Sequence, residues 1–220
     1  MKNSTADEIL ATFNVAIIGP AGVGKSSIVV RYIYNTFSTE YVPTLEDQYS
    51  KFERIDDELY GINILDTSGT EDFFSLMHVW MLNKDALILT YSVEDKEHFK
   101  ALEKFNQNVK HYDPNNEIPK VIIANKVDLR RRMVTPEEGK AFAESMDAPY
   151  YETSAKLNKN VTEVFVNLIK MMKDKRRTEL ENERKREESE NPGDKTQGRK
   201  KEEGGDWSFG SWFFSKCNLI

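Results

Sequence analysis

The chain has 220 residues, 39% of them apolar and 11% aromatic, with a formal net charge of −6. That length suits one domain of ordinary size with residues to spare, and no run of about 18 apolar residues offers a membrane-spanning helix. Residues 173–206 carry 11 basic and 11 acidic side chains, so the acidic excess falls on the residues before them, which argues against nucleic acid as a partner.

The opening stretch, MKNSTADEILATF, lacks the apolar segment of a secretory signal. Lys2 stands where the usual myristoylation pattern needs glycine. Residues 1–11 are therefore expected to be an extension ahead of the domain. FNVAII (13–18), YGINIL (60–65), ALILTYS (86–92) and KVIIA (120–124) are short, β-rich and almost wholly apolar. Strands buried on both faces of a parallel sheet have this composition. QYSKFERI (48–55) alternates more, and IDDE offers a turn into the next strand, which predicts an edge hairpin. Helices are expected over 25–35, 72–83, 96–112 and 136–147, and another from Val161, where Val161, Val164, Phe165, Leu168, Ile169 and Met172 make one apolar stripe. The β/α alternation predicts a three-layer α/β domain whose ligands lie beyond the carboxyl ends of the strands. From 173 to 206 large apolar residues almost vanish, and this charged stretch is expected to be a disordered linker, its start prolonging the last helix.

GPAGVGKS (19–26) falls between the first strand and first helix and fits the phosphate-loop pattern G-x-x-x-x-G-K-[ST]. Gly22 and Gly24 let the backbone curl so that successive N–H groups converge on phosphate oxygens, and the helix start adds a positive end. Gly19, Ala21, Gly22, Val23, Gly24, Lys25, Ser26 and Ser27 are the candidate phosphate contacts. Among them Lys25 would neutralise the β/γ-phosphates and the Ser26 hydroxyl would ligate Mg²⁺. Asp66, at the end of the strand ILD, is placed to hold the same ion.

The base is read elsewhere. NKVD (125–128) follows one expected strand, and TSAK (153–156) follows another, PYYE (149–152). Guanine offers an N1–H and a 2-amino group where adenine offers neither, and the Asp128 carboxylate can accept both as a bidentate pair. Against adenine it would be left unpaired in a closed site. The two loops therefore oppose an ATPase or small-molecule kinase.

GPAGVGKS, YVPTLED (41–47), DTSGTE (66–71), NKVD and ETSAK (152–156) stand in the order of the Ras superfamily of small GTPases, which the chain resembles over residues 12–172. YVPTLEDQY is similar to the effector segment of Ras and Rap proteins rather than those of Rho, Rab or Arf proteins. The resemblance implies a P-loop G domain with a six-stranded, mostly parallel sheet, one antiparallel edge strand and five helices. It implies that Phe37 packs against guanine, Lys126 lies along the base and sugar, Asn125 braces the loops and Ala155 offers its N–H to the base, with Ser154 and Lys156 beside it. Thr44 would complete the Mg²⁺ shell, and Thr44 and Gly69 would sense the γ-phosphate of GTP. Residues 39–47 and 68–80 would be switch segments that meet exchange factors, activating proteins and effectors. The effector contacts would come from Tyr41, Pro43, Thr44, Leu45, Glu46 and Asp47.

DTSGTE departs from the family at the water-positioning residue. Thr70 occupies the place of the usual glutamine, which it is too short and too stiff at χ1 to replace. Rap proteins share this threonine, and their activating proteins are thought to supply an asparagine in trans. Ala21 stands where glycine is usual and crowds the same water. Intrinsic hydrolysis is therefore expected no faster than the roughly 10⁻⁴ s⁻¹ of Ras, which leaves two readings: a slow switch, or a module that stays GTP-loaded.

CNLI (217–220) has the form of a prenylation box on Cys217, the one cysteine of the chain. One lipid rarely anchors a protein stably. WSFGSWFF holds five aromatic residues out of eight just upstream. In the tail 207–220 these aromatics either supply a second, interfacial membrane signal or cover a partner or the domain itself. The expected location is the cytoplasmic face of a membrane, with the plasma membrane the first expectation.

Overall fold

The computed structural model describes residues 8–40, 42–69 and 80–190. Six strands, β1 (Ile9–Ile18), β2 (Glu46–Ile55), β3 (Glu58–Thr67), β4 (Ala86–Ser92), β5 (Lys120–Asn125) and β6 (Tyr150–Glu152), form one sheet in the order β2-β3-β1-β4-β5-β6. Only β2 runs antiparallel, against β3; the remaining pairings are parallel. The helices given in full among the described residues are α1 (Lys25–Tyr34), α2 (Lys96–Tyr112), α3 (Pro136–Glu144) and α4 (Val161–Glu190).

Side-chain alternation divides the interior. Phe13, Val15 and Ile17 of β1 and Val121 and Ile123 of β5 join α1 and the α4 stripe in one core. The intervening Ala16, Ile18, Ile122 and Ala124 join Leu102 and Val109 of α2 and Ala143 of α3 in a second. The central strands thus feed two layers, which is why β4 and β5 are buried at every position and read as nearly unbroken apolar runs. The six apolar residues of the α4 stripe are all buried.

Local chemistry sets the ends of the elements. Asp95 caps α2 by accepting from the Glu97 N–H, and Thr135 and Glu138 form a reciprocal capping box at α3 with Pro136 in the first turn. Ile55 pairs with Glu58 across Asp56-Asp57, both at positive φ, the backbone of a two-residue type I′ hairpin.

Three expected boundaries are corrected. The first strand starts at Ile9, inside the stretch read as an extension, because Ile9 pairs with Leu59. The helix expected over 136–147 ends at Glu144, and Asp147 turns to φ 51. The charged run taken for a linker from 173 is helical as far as Glu190; Glu, Lys and Arg are good helix formers, and Asp174 pairs with Arg177 one turn on. The compact unit ends at Thr178, and Glu179 opens a second unit. Of the helix expected over 72–83, Trp80 and Met81 are helical and residues 72–79 lie outside the described residues, as do 191–206 and the tail with Cys217.

Candidate functional site

The loops that leave β1, β3, β5 and β6 converge with the segment ahead of β2 around a cleft of about 840 Å³. Ala21, Gly22, Gly24, Lys25, Ser26 and Ser27 line one end; Asn125, Lys126, Asp128, Ala155 and Lys156 line the other, and Phe37, which follows α1 in sequence, lines the cleft too. Tyr41 and Thr70 lie outside the described residues.

At the phosphate end, Gly24 adopts φ 94 and a Cβ there would fall 2.5 Å from the Asn125 Nδ2, so both conformation and space demand glycine. Val23 turns its side chain into the core and serves the loop through its backbone. Lys25 is 6% exposed, and its ammonium donates to the carbonyls of Gly19 (2.9 Å) and Pro20 (3.1 Å). Burial lowers its pKa to about 8, against the opposing pull of Asp66. The lysine is thus a buried cation hydrogen-bonded to two carbonyls, which an anionic phosphate would pair.

Asp66 is fully buried, and neither carboxylate oxygen has a hydrogen-bond partner. Burial raises its pKa to about 6; the Ser26 hydroxyl and the Lys25 charge pull it back, though Ser26 lies outside hydrogen-bond geometry. Ser26 Oγ instead lies 2.9 Å from the Thr44 hydroxyl, which reaches over from the segment before β2. An orphaned buried carboxylate beside two hydroxyls is costly alone but fits a hard divalent cation such as Mg²⁺. Gly69 packs on the phosphate loop so closely that a Cβ would fall 2.2 Å from the Ala21 nitrogen.

At the other end Asn125 is a brace. Its Nδ2 donates to the Val23 carbonyl at 2.9 Å, and its Oδ1 accepts from the Thr153 hydroxyl at 3.1 Å, tying three loops together. Ser154 Oγ donates to Asp128 Oδ1 at 2.6 Å and accepts from the Leu157 N–H. Lys126, at φ 66, extends to Glu94 at 2.5 Å. Phe37 is half-buried against the first core. Sequence reasoning assigned no role to Thr153, Glu94 or Arg31, whose guanidinium bonds the Ala155 carbonyl. Thr153 stood inside a quoted motif; the other two carry no local signal, since their partners are distant in sequence.

The exposed lip comes from the segment ahead of β2, where Val42 and Leu45 are 75% and 74% exposed. Pro43, Glu46 and Asp47 are exposed too. Glu46 accepts from the indole N–H of buried Trp80 at 2.8 Å, joining the C-terminal ends of the two expected switch regions.

A strand, a glycine-rich turn and a helix bearing a buried lysine, with two further loops at neighbouring strand ends, define a phosphate-loop nucleotide-binding domain. The profile of the Ras family matches residues 14–174, and the chain belongs to that family of small GTPases. Ras-like protein 1 of Saccharomyces cerevisiae is 36% identical over 163 residues, 74% of this chain and 53% of the relative, so the match spans about half of that protein. Ras-like protein rasC of Dictyostelium discoideum is 37% identical over 161 residues, 72% of this chain and 85% of the relative.

Proposed function

We propose that the protein is a Ras/Rap-like switch that binds GTP and GDP with Mg²⁺ and hydrolyses GTP slowly. The observation that carries this reading is Asp128, fixed by Ser154 on the wall of the cleft. A carboxylate has about four acceptor sites, so one bond from Ser154 sets its orientation without exhausting it. Its two oxygens keep the acceptor sites to meet the N1–H and 2-amino group of guanine as a bidentate pair.

The phosphate loop would hold the triphosphate through its amides, with Lys25 neutralising the β/γ-phosphates. Ser26, Thr44 and Asp66 would hold Mg²⁺, which would supply positive charge to offset that of the phosphates. Hydrolysis adds water to the γ-phosphorus and releases GDP and phosphate. Thr70 is too short to orient that water, and Ala21 narrows its space, so turnover stays slow until a partner supplies the missing group. Residues 39–47 and 68–80 would carry the effectors, exchange factors and activating proteins. Prenylated Cys217 would place the protein on the cytoplasmic face of a membrane.

Calorimetry of the purified protein with Mg²⁺ tests the base assignment. GDP is expected to bind at one site, and ADP roughly 10²–10⁴-fold more weakly, the loss of two hydrogen bonds to a charged group. Equal affinity for the two nucleotides would falsify it.

A further inference from the structure

The guanidinium of Arg31, in the last turn of α1, is surrounded by main-chain oxygens. Its Nε donates to the Ala155 carbonyl at 2.8 Å and one terminal nitrogen to the Lys156 carbonyl at 3.1 Å. The other terminal nitrogen donates to the Asn35 carbonyl at 2.7 Å. Asn35 is the cap of α1, at φ 54, and its N–H returns to the Arg31 carbonyl. Asn158 adds a weaker link by donating to Asn35 Oδ1 at 3.3 Å. Three nitrogens of one rigid fork thus serve three carbonyls on two segments that are 120 residues apart in sequence. No carboxylate among the described residues forms an ion pair with Arg31. Its charge is used on peptide dipoles, which makes each bond charge-assisted.

Both segments end at the base end of the cleft. One is the TSAK loop, with Ala155 and Lys156 on the cleft wall; the other runs on from Asn35 to Phe37, which lines it too. The opposite end of the same helix begins at Lys25 and Ser26, on the phosphate loop.

We propose that Arg31 is a positioning residue for the purine: it holds the Ala155–Lys156 backbone and the α1 exit in one arrangement and so sets how long a guanine nucleotide stays bound. This rests on the guanine-binding reading above. Arginine is required rather than any cation, because lysine presents a single nitrogen that cannot reach three separate carbonyls.

The test is the release of fluorescently labelled GDP from full-length wild type, Arg31→Ala and Arg31→Lys, each with Mg²⁺ and with excess EDTA, alongside amide hydrogen exchange. Release from Arg31→Ala is expected to be about tenfold faster, with Arg31→Lys recovering less than half of the effect on a logarithmic scale. The fold-acceleration by EDTA should stay at the wild-type value, because the magnesium end is untouched. Faster exchange should be confined to residues 153–158 and 35–37 and leave β5 protected. Release within twofold of wild type in both variants overturns the proposal. So does full recovery by lysine, or exchange that rises through β5 as well, since either would make Arg31 a general stabiliser. Failure of wild type itself to take up GDP would sink the underlying functional reading instead.

Discussion

Asp128 lines the cleft, and Thr70 stands in the sequence where Ras-family proteins usually have glutamine. The carboxylate of Asp128 is oriented by a 2.6 Å bond from Ser154, so its acceptors have a fixed direction. Replacing it by asparagine, Asp128→Asn, keeps the shape but turns one acceptor into a donor. Two hydrogen bonds to a charged group, at about 1.5–3 kcal/mol each, put the expected loss of GDP affinity at roughly 10²–10⁴-fold. Xanthosine diphosphate, with a carbonyl at position 2, should gain over GDP, and titration of the two nucleotides checks both signs. On the proposed reading, Thr70 is the residue that slows hydrolysis. Thr70→Gln restores a side chain long enough to orient water, and single-turnover GTP hydrolysis should accelerate, further still when combined with Ala21→Gly. No acceleration in either variant would mean that water positioning is not the limiting defect.

At the level of elements, the site depends on how α1 and α4 are locked to the same face of the sheet. Tyr32 of α1 stacks on Phe165 of α4 with ring centroids 3.9 Å apart, and its hydroxyl donates to Glu53 of β2 at 3.0 Å. Since α1 also bears Lys25 and Arg31, a shift of this helix moves both ends of the cleft. Phe165→Ala should cost about 3–5 kcal/mol of stability, measurable as a lower denaturation midpoint of the GDP-bound protein. The elements themselves were legible where one physical signal dominated. The ends of α2 and β4 follow from Asp95 and from an uninterrupted apolar run. They were less legible where pairing partners decide: Ile9 becomes a strand residue only because Leu59 lies beside it.

At the level of the whole molecule, the compact unit closes at Thr178, and the described residues beyond it are exposed helix. The residues that line the cleft all lie in the first unit, and the proposed prenylation site, Cys217, lies beyond it in sequence. Cys217→Ser should shift the protein expressed in eukaryotic cells from the membrane pellet to the supernatant, as fractionation would show, without altering GDP affinity. Replacing Trp207, Phe209, Trp212, Phe213 and Phe214 while keeping Cys217 should do the same in part, if they supply the second membrane signal. Unchanged retention would assign those aromatics to a protein contact.

The sequence alone determined the phosphate-loop motif, the NKVD and TSAK loops and the alternation of strands and helices, because each is written in neighbouring residues: glycines that permit a turn, a lysine one step on, apolar runs of the right length. It also exposed the departures at Ala21 and Thr70, which need no coordinates to be seen. Only the tertiary structure decided what joins these pieces. The Asn125 brace to Val23, the Ser154 grip on Asp128, the Lys126–Glu94 pair and the three-carbonyl hold of Arg31 all link residues far apart along the chain. Such contacts depend on directional hydrogen bonds a few ångströms long, and those distances exist only after the sheet has set its strand order.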